Sequence, residues 1–250
     1  MALNHRKYRD LSLEAISTTE TLVIACDISA SIGLKPHDYL QVDPYITARY
    51  AMRVPMLELL AVNAQPFLVM SLCSNEWENT GKQFDHGIKD ELKQAGFSHL
   101  PVSGSTEENM ETSMSSIGIT LIGRGHYSQL LMNKVQVGDI CYQCGYPYVG
   151  AEMLEHQEEL PTYEDIAYLH SLQSVVNEMV PIGSKGSLNE AQQVAEVNGC
   201  QFIVKESDKC QTVGKLSAGP ATSLLVVGQE DLLPHLQQRF DFVMEVGHMQ

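Results

Sequence analysis

Basic residues are scarce in this chain. Sixteen Lys and Arg stand against 31 Asp and Glu, a formal net charge of −15 over 250 residues. A nucleic-acid partner would call for a basic face, so none is expected. A single nucleotide is not excluded, because its phosphates can be held by Mg²⁺ and backbone N–H groups. No apolar run reaches the roughly 18–20 residues of a membrane span. The charged N-terminus, Met1 to Asp10, has no apolar stretch behind it of the kind a secretory signal carries. The expectation is a cytoplasmic protein with no membrane partner.

Familiar site signatures are also missing. The chain has no G-x₄-G-K-[ST], no G-x-G-x-x-G after a strand, no G-x-S-x-G and no H-E-x-x-H. Their absence argues against a P-loop, a dinucleotide-binding Rossmann site, a hydrolase elbow and a zinc protease helix. Six cysteines lie at 26, 73, 141, 144, 200 and 210, mostly in apolar runs. Cys141 and Cys144 form the one C-x-x-C, and no second pair completes a four-ligand zinc site. On a strand, residues three apart face opposite sides, so buried thiols are expected there.

What is present describes a globular chain, 44% apolar and 19% charged, of one or two domains. Thr21 to Ile28 is a near-continuous apolar run containing Asp27, the pattern of a strand covered on both faces. A polar loop with Gly33, Lys35, Asp38 and Asp43 follows. Tyr45 to Asn63 predicts a helix with Ala48, Met52, Leu59 and Val62 on one side, kinked or restarted at Pro55. Pro66 to Leu72 and Ile117 to Gly123 read as strands. A short helix over His86 to Ala95, closed by Gly96, lies between them.

In the second half, Asp139 to Cys144 predicts a strand. Thr162 caps a helix expected from Tyr163 to Met179. Ser187 and Glu190 form an S-x-x-E capping box for a helix ending at Gly199. Strands at 200–205, 222–228 and 240–246 complete an α/β (α+β) pattern.

The densest chemical signal is Ser103–Gly104–Ser105–Thr106–Glu107–Glu108–Asn109, taken as a turn-rich loop before the strand at 117–123. Hydroxyls and carboxylates at a strand entrance suit Mg²⁺-triphosphate, since Mg²⁺ takes a few carboxylates plus phosphate oxygens. Asp27, Asp43, Glu58, Glu107 and Glu108 are the candidate metal ligands. Asp27 stands out because an acid ending a buried strand must be paired, hydrogen-bonded or metal-bound. Gly183–Ser184–Lys185–Gly186 precedes a helix, where free N–H groups and the dipole favour an anion. An ordinary acidic loop and an ordinary Gly-rich turn are the competing readings of these two segments.

The order of these features resembles the superfamily of aminoimidazole ribonucleotide synthetase, selenophosphate synthetase and thiamine-monophosphate kinase, the PurM-like proteins. The resemblance rests on Ala25–Cys26–Asp27–Ile28 through Gly33, Asn63–Ala64–Gln65–Pro66, Ser103–Gly104–Ser105–Thr106 and Val137–Gly138–Asp139. It departs where the family's acids are replaced by Ser105 and by Ile182 to Gly186. With Arg9–Asp10–Leu11 added, the chain looks most like the branch of α-ribazole kinases.

The resemblance implies two domains, 1–132 and 133–250, with N-terminal sheets of two subunits pairing into a barrel. It implies ATP and Mg²⁺ as cofactors, with ATP near the subunit and domain junction. The implied reaction is γ-phosphoryl transfer to a hydroxyl of a nucleoside-like small molecule by a homodimer. Asp27 and Glu108 would act at the metal. Gly104, Ser105, Thr106 and Glu107 would meet the phosphates, and Gly183, Ser184, Lys185 and Gly186 would hold a phosphate in the second domain. A related enzyme acting through a phosphorylated intermediate, or a nucleotide-binding protein without catalysis, are the alternatives.

Overall fold

The structure, a computed structural model, describes residues 5–250; Met1–Asn4 of the charged N-terminal segment lie outside them. The chain divides into two compact units. The first runs to Leu60 and takes in Ala64–Ser128; the second comprises Ala61–Asn63 and Gln129–Gln250.

The first unit begins with β1 (His5–Tyr8), β2 (Leu11–Ala15) and β3 (Glu20–Ala30). The short parallel pair β4 (Ile32–Gly33) and β5 (Leu40–Gln41) precedes α1 (Pro44–Ala61). Then come β6 (Gln65–Cys73), α2 (Lys82–Gln94), β7 (Val102–Thr106) and β8 (Ser116–His126). The sheet order is β1-β2-β3-β8-β6-β7, antiparallel except for the parallel edge pair β6–β7.

Helix α1 runs through Pro55 as one element. Ala48, Met52, Met56, Leu57 and Leu59 are all fully buried, so the helix is enclosed on several sides. It packs on the sheet where Leu59 lies over Gly123, a position with no room for a Cβ. Gly87 of α2 lets that helix approach the Tyr45 carbonyl of α1. The same helix pair is joined by Tyr45 Oη donating to Asp90 (2.7 Å) and by Arg49 against Glu91 (3.2 Å). Gly96, at φ +82°, closes α2 as expected.

One face of this sheet carries the core: Val23, Ala25, Ile117, Ile119, Leu121 and Val69 are buried. On the alternate positions, the opposite face, Ile28 is 71% and Leu72 58% exposed, with Leu22, Ile24, Met70 and Ile122 half-buried between them.

The second unit has a five-stranded antiparallel sheet, order β10-β12-β9-β13-β11. Its elements are β9 (Ile140–Cys144), α3 (Gly150–Glu155), α4 (Tyr163–Ser171), β10 (Val176–Pro181), α5 (Gly186–Asn198), β11 (Phe202–Val204), α6 (Asp208–Val213), β12 (Leu224–Gly228), α7 (Leu233–Gln237) and β13 (Val243–Met249). Every residue of β12 is buried, so this sheet is covered on both faces. On one side Cys141, Leu225, Val227 and Val246 pack with Ala191, Val194 and Ala195 of α5 and Cys210 of α6. The cysteines are all free thiols; Cys141 and Cys144 are fully buried, and burial pushes both thiol pKa values up.

Two expectations are corrected here. The helix begun at Thr162, with its reciprocal Thr162–Asp165 capping box, stops at Ser171 rather than Met179. Val176 and Met179 belong to β10 instead, paired antiparallel with β12. The expected Ser187–Glu190 box is also absent. Ser187 lies inside α5, its hydroxyl donating to Gln143 Oε1 (2.6 Å), and Lys185 takes the N-cap position without a side-chain cap. Among the described residues no helix is long and apolar enough to cross a membrane.

Candidate functional site

Ser103 to Thr106 is not the loop its composition suggests but most of edge strand β7. It pairs in parallel with β6 in the register Met70–Ser103, Ser71–Gly104, Leu72–Ser105 and Cys73–Thr106. A Cβ on Gly104 would collide with the Ser71 carbonyl, so only glycine lets the two backbones close here. The chain then turns. Glu107 Oε1 accepts from the N–H groups of Asn109 (2.7 Å) and Met110 (3.1 Å). Glu108 Oε1 accepts from Thr106 Oγ1 (2.6 Å) and from the Trp77 N–H (2.8 Å).

The segments around this turn are tied by two buried side chains. Asn75 donates to Thr112 Oγ1 (2.7 Å) and the Met114 carbonyl (2.8 Å), and accepts from the Ser116 N–H (2.9 Å). Its own carbonyl accepts from the Glu107 N–H (3.1 Å), so one residue holds both ends of the 107–116 segment. Asp38 accepts from the N–H groups of Lys35 (2.8 Å) and Ser115 (2.7 Å) and from Ser115 Oγ (2.7 Å). Beside them Lys35 Nζ meets Glu76 Oε2 at 2.6 Å, and Thr80 Oγ1 donates to Glu76 Oε1 at 2.8 Å. Burial alone would raise the Glu76 pKa, but the Lys35 and Thr80 hydrogen bonds hold it below the usual carboxylate range. The Cys73 thiol lies close to these groups. Burial raises its pKa against a hydrogen bond to Asn75, while Glu76 and Glu108 push it up and Lys35 pulls it down.

The expected metal ligands do not converge. Asp27 sits on β3 opposite Ile119, in the row that continues through Ser71 to Gly104. Three strand spacings, about 14 Å, separate it from β7. Asp43 is the residue before α1, its Oδ1 accepting from the Tyr45 N–H at 2.9 Å, which is helix capping. Glu58 is buried on α1 with Arg9 Nη1 3.8 Å from its Oε2. Glu107 braces its own turn. Among the described residues no group of three His, Cys, Asp or Glu side chains is placed to hold a metal.

Asp27 differs from the other four. It is half-buried, and burial pushes its pKa up to about 6, against a backbone hydrogen bond from Ile28 that favours the charged form. A desolvated carboxyl with so little compensation suits a cation carried in by a ligand. Mg²⁺ held by one or two carboxylates plus phosphate oxygens fits Asp27 better than a five-acid cage.

In the second unit Ser184 and Lys185 are exposed and Gly186 adopts φ +81° against the Gly214 carbonyl. The Gly183 N–H faces Glu190 Oε1 at 3.4 Å, and the Leu188 N–H donates to Gly214 O at 3.0 Å. The first turn of α5 is therefore partly satisfied by the chain itself.

Sequence reasoning named Lys35 only as a loop residue and passed over Asn75 and Glu76. The signal that finds the latter two is close to the one used for Asp27: polar and acidic residues just past an apolar strand run, here that of β6.

No family model matches this sequence, and no curated protein matches it. Solved structures do. "AaThiL complexed with AMPPCP and TMP" is 16% identical, with a TM-score of 0.65 over 96% of this chain and 84% of that one. The fold is PurM-like. Thiamine-monophosphate kinase from Stenotrophomonas maltophilia K279a is 18% identical, with a TM-score of 0.62 over 97% and 89% of the two chains. T. maritima PurL complexed with AMPPCP is 13% identical, with a TM-score of 0.64, and this chain spans 41% of its length. The likeness extends over both units of the chain, and at these identities it is one of fold.

Proposed function

We propose that this protein is an ATP-dependent phosphotransferase of the cytosol, passing a γ-phosphoryl group to a hydroxyl of a small nucleoside-like molecule such as α-ribazole. The observation that carries the reading is the fold match, over 96% of this chain, to a protein complexed with the ATP analogue AMPPCP and TMP. Phosphoryl transfer asks the protein chiefly for positioning and charge neutralisation. The turn after β7 offers the first, through hydrogen bonds that fix Thr106, Glu107 and Glu108.

In this reading Asp27 holds the Mg²⁺ that accompanies the nucleotide, and the ion's chemistry is neutralisation of phosphate charge. Glu108 orients Thr106 and the Trp77 backbone toward the phosphates. Gly104, Ser105 and Thr106 present backbone and hydroxyl groups from an edge strand. Gly183, Ser184, Lys185 and Gly186 hold a phosphate of substrate or product. Asp43, Glu58 and Glu107 keep the structural roles described above.

The working unit is a homodimer. The open face bearing Leu22, Ile24, Ile28, Met70, Leu72 and Ile122 is the surface a second copy would cover, forming a barrel from two sheets. Domain limits of 1–132 and 133–250 belong to the same reading.

The test is ATP consumption with a panel of nucleosides, α-ribazole among them, and identification of the product. A phosphate monoester supports the kinase. A product formed from an activated carbonyl or amide would instead favour the second reading, to which the PurL likeness lends support. No ATP turnover and no ATP binding would leave only a scaffold.

A further inference from the structure

Lys35 and Glu76 form the one feature of the first unit's loop cluster that its architecture does not need. The three segments are already tied by Asp38 and Asn75 through buried hydrogen bonds. An added ion pair near the surface contributes little to stability. Yet this one is close, 2.6 Å, with side chains only 18% and 34% exposed. The Lys35 backbone N–H is held by Asp38, and its ammonium by Glu76 rather than trailing in solvent. Its partner Glu76 stands directly before Trp77 in the chain. Glu108 in turn accepts from the N–H of Trp77, the residue after Glu76, and Gly81 abuts the Thr106 side chain. The ammonium therefore sits beside the Thr106–Glu108 turn within an acidic neighbourhood, on a chain of net charge −15.

A triphosphate approaching such a surface is repelled unless a cation answers it. An ammonium is a compact charge on a flexible stem, able to exchange one oxyanion for another without moving the backbone.

We propose that Lys35 is a polyphosphate ligand of the first unit, held in reserve by Glu76 and transferred from that carboxylate to a phosphate oxygen when nucleotide binds. Glu76, relieved of its partner, keeps its Thr80 hydrogen bond and so remains partly compensated. The inference rests on the nucleotide reading given above but assigns a residue and an exchange of partners that the reading does not contain.

Calorimetry with tripolyphosphate, ATP, ADP and adenosine tests it on the full chain. Lys35→Met should weaken tripolyphosphate and ATP about tenfold, as loss of one charge-assisted hydrogen bond would. Its affinity for adenosine should not change, and Lys35→Arg should restore much of the loss. Glu76→Gln should tighten both polyphosphates severalfold. Glu78→Gln, which removes an equal charge from the exposed Glu78–Lys82 pair next door, should not. If Lys35→Met does not fold, the Glu76→Gln and Glu78→Gln pair still decides: equal effects, or none, overturn the proposal. Unchanged polyphosphate affinity in a folded Lys35→Met also overturns it. A wild-type protein that ignores ATP but binds tripolyphosphate through Lys35 would sink the kinase reading and leave this inference standing. Binding neither would end both.

Discussion

The Leu188 backbone N–H donates to the Gly214 carbonyl across 3.0 Å, so the chain's own main chain occupies part of the α5 N-terminus. The Ser187 hydroxyl is turned inward to Gln143. An anion at this end would depend on the loop before the helix, and above all on the exposed Lys185. Lys185→Ala should leave the fold within about 0.5 kcal/mol of wild type, as an exposed position does. Affinity for the phosphorylated product should fall severalfold. Calorimetric titration with that product beside a thermal melt checks both; equal affinities would show that Lys185 merely faces water.

Asp27→Asn should abolish turnover while raising the stability of the ligand-free protein above neutral pH. A carboxyl with a folded pKa of about 6, against an ordinary value of 3.8, holds its proton more tightly when folded. Its favourable contribution is complete below about pH 4 and is lost as pH rises through about 6. The asparagine has no proton to lose. The variant should therefore gain on wild type between pH 4 and 7, by about 1–2 kcal/mol once partial exposure is allowed for. Melts across that range test the trend, and wild-type turnover should rise to a plateau above about pH 6. A variant that is less stable yet active would make Asp27 a structural acid only.

Gly104→Ala should separate β7 from β6. The added methyl meets the Ser71 carbonyl, and backbone cannot yield as a side chain can. We expect a loss of about 1–3 kcal/mol, typical of overpacking, with faster amide exchange in Val102–Thr106. Nucleotide affinity should drop with it, because Thr106 and Glu108 follow the same strand. Normal exchange and normal affinity would show that the edge strand can slide without cost.

Ile122→Glu places a charge in the middle of the open sheet face, opposite Ile24 on β3 and Leu68 on β6. Wild type should sediment as a dimer at micromolar concentration and the variant as a folded monomer. A monomeric wild type would remove the second copy from the proposal.

Much of the fold is legible in the sequence where one period dominates. Strands β3, β6 and β8 and helix α1 follow from apolar runs and from the Ala48–Met52–Leu59 stripe. Strand β7 is not legible, because Ser-Gly-Ser-Thr has the composition of a turn, and only its neighbour's carbonyl explains the glycine. Strand β10 is masked for another reason: Val176 and Met179 continue the spacing of Leu169 and Leu172, so a helix and a strand separated by a short turn imitate one long helix. The site divides similarly. The segment from Ser103 to Glu108 is visible as chemistry, and Asp27 as an acid in an apolar run, although β3 continues past it to Ala30 and leaves one face open instead of being covered on both. The clamps Asp38 and Asn75 and the Lys35–Glu76 pair depend on contacts between segments about 40 residues apart for Asn75 and Lys35 and 77 apart for Asp38, which no local pattern encodes.

The two sheets differ in how freely their sequences can drift. Each position of β12 is enclosed on both sides, so its residues answer to packing alone, and a polar replacement at Val226 or Val227 would be a folding defect. On β3 the alternate positions Leu22, Ile24 and Ile28 face outward. There a replacement is tolerated by the isolated chain and judged only by whatever settles on that face. Variation along β3 among related sequences should therefore split by parity, steady at Val23 and Ala25 and moving in step with the partner surface at the positions between.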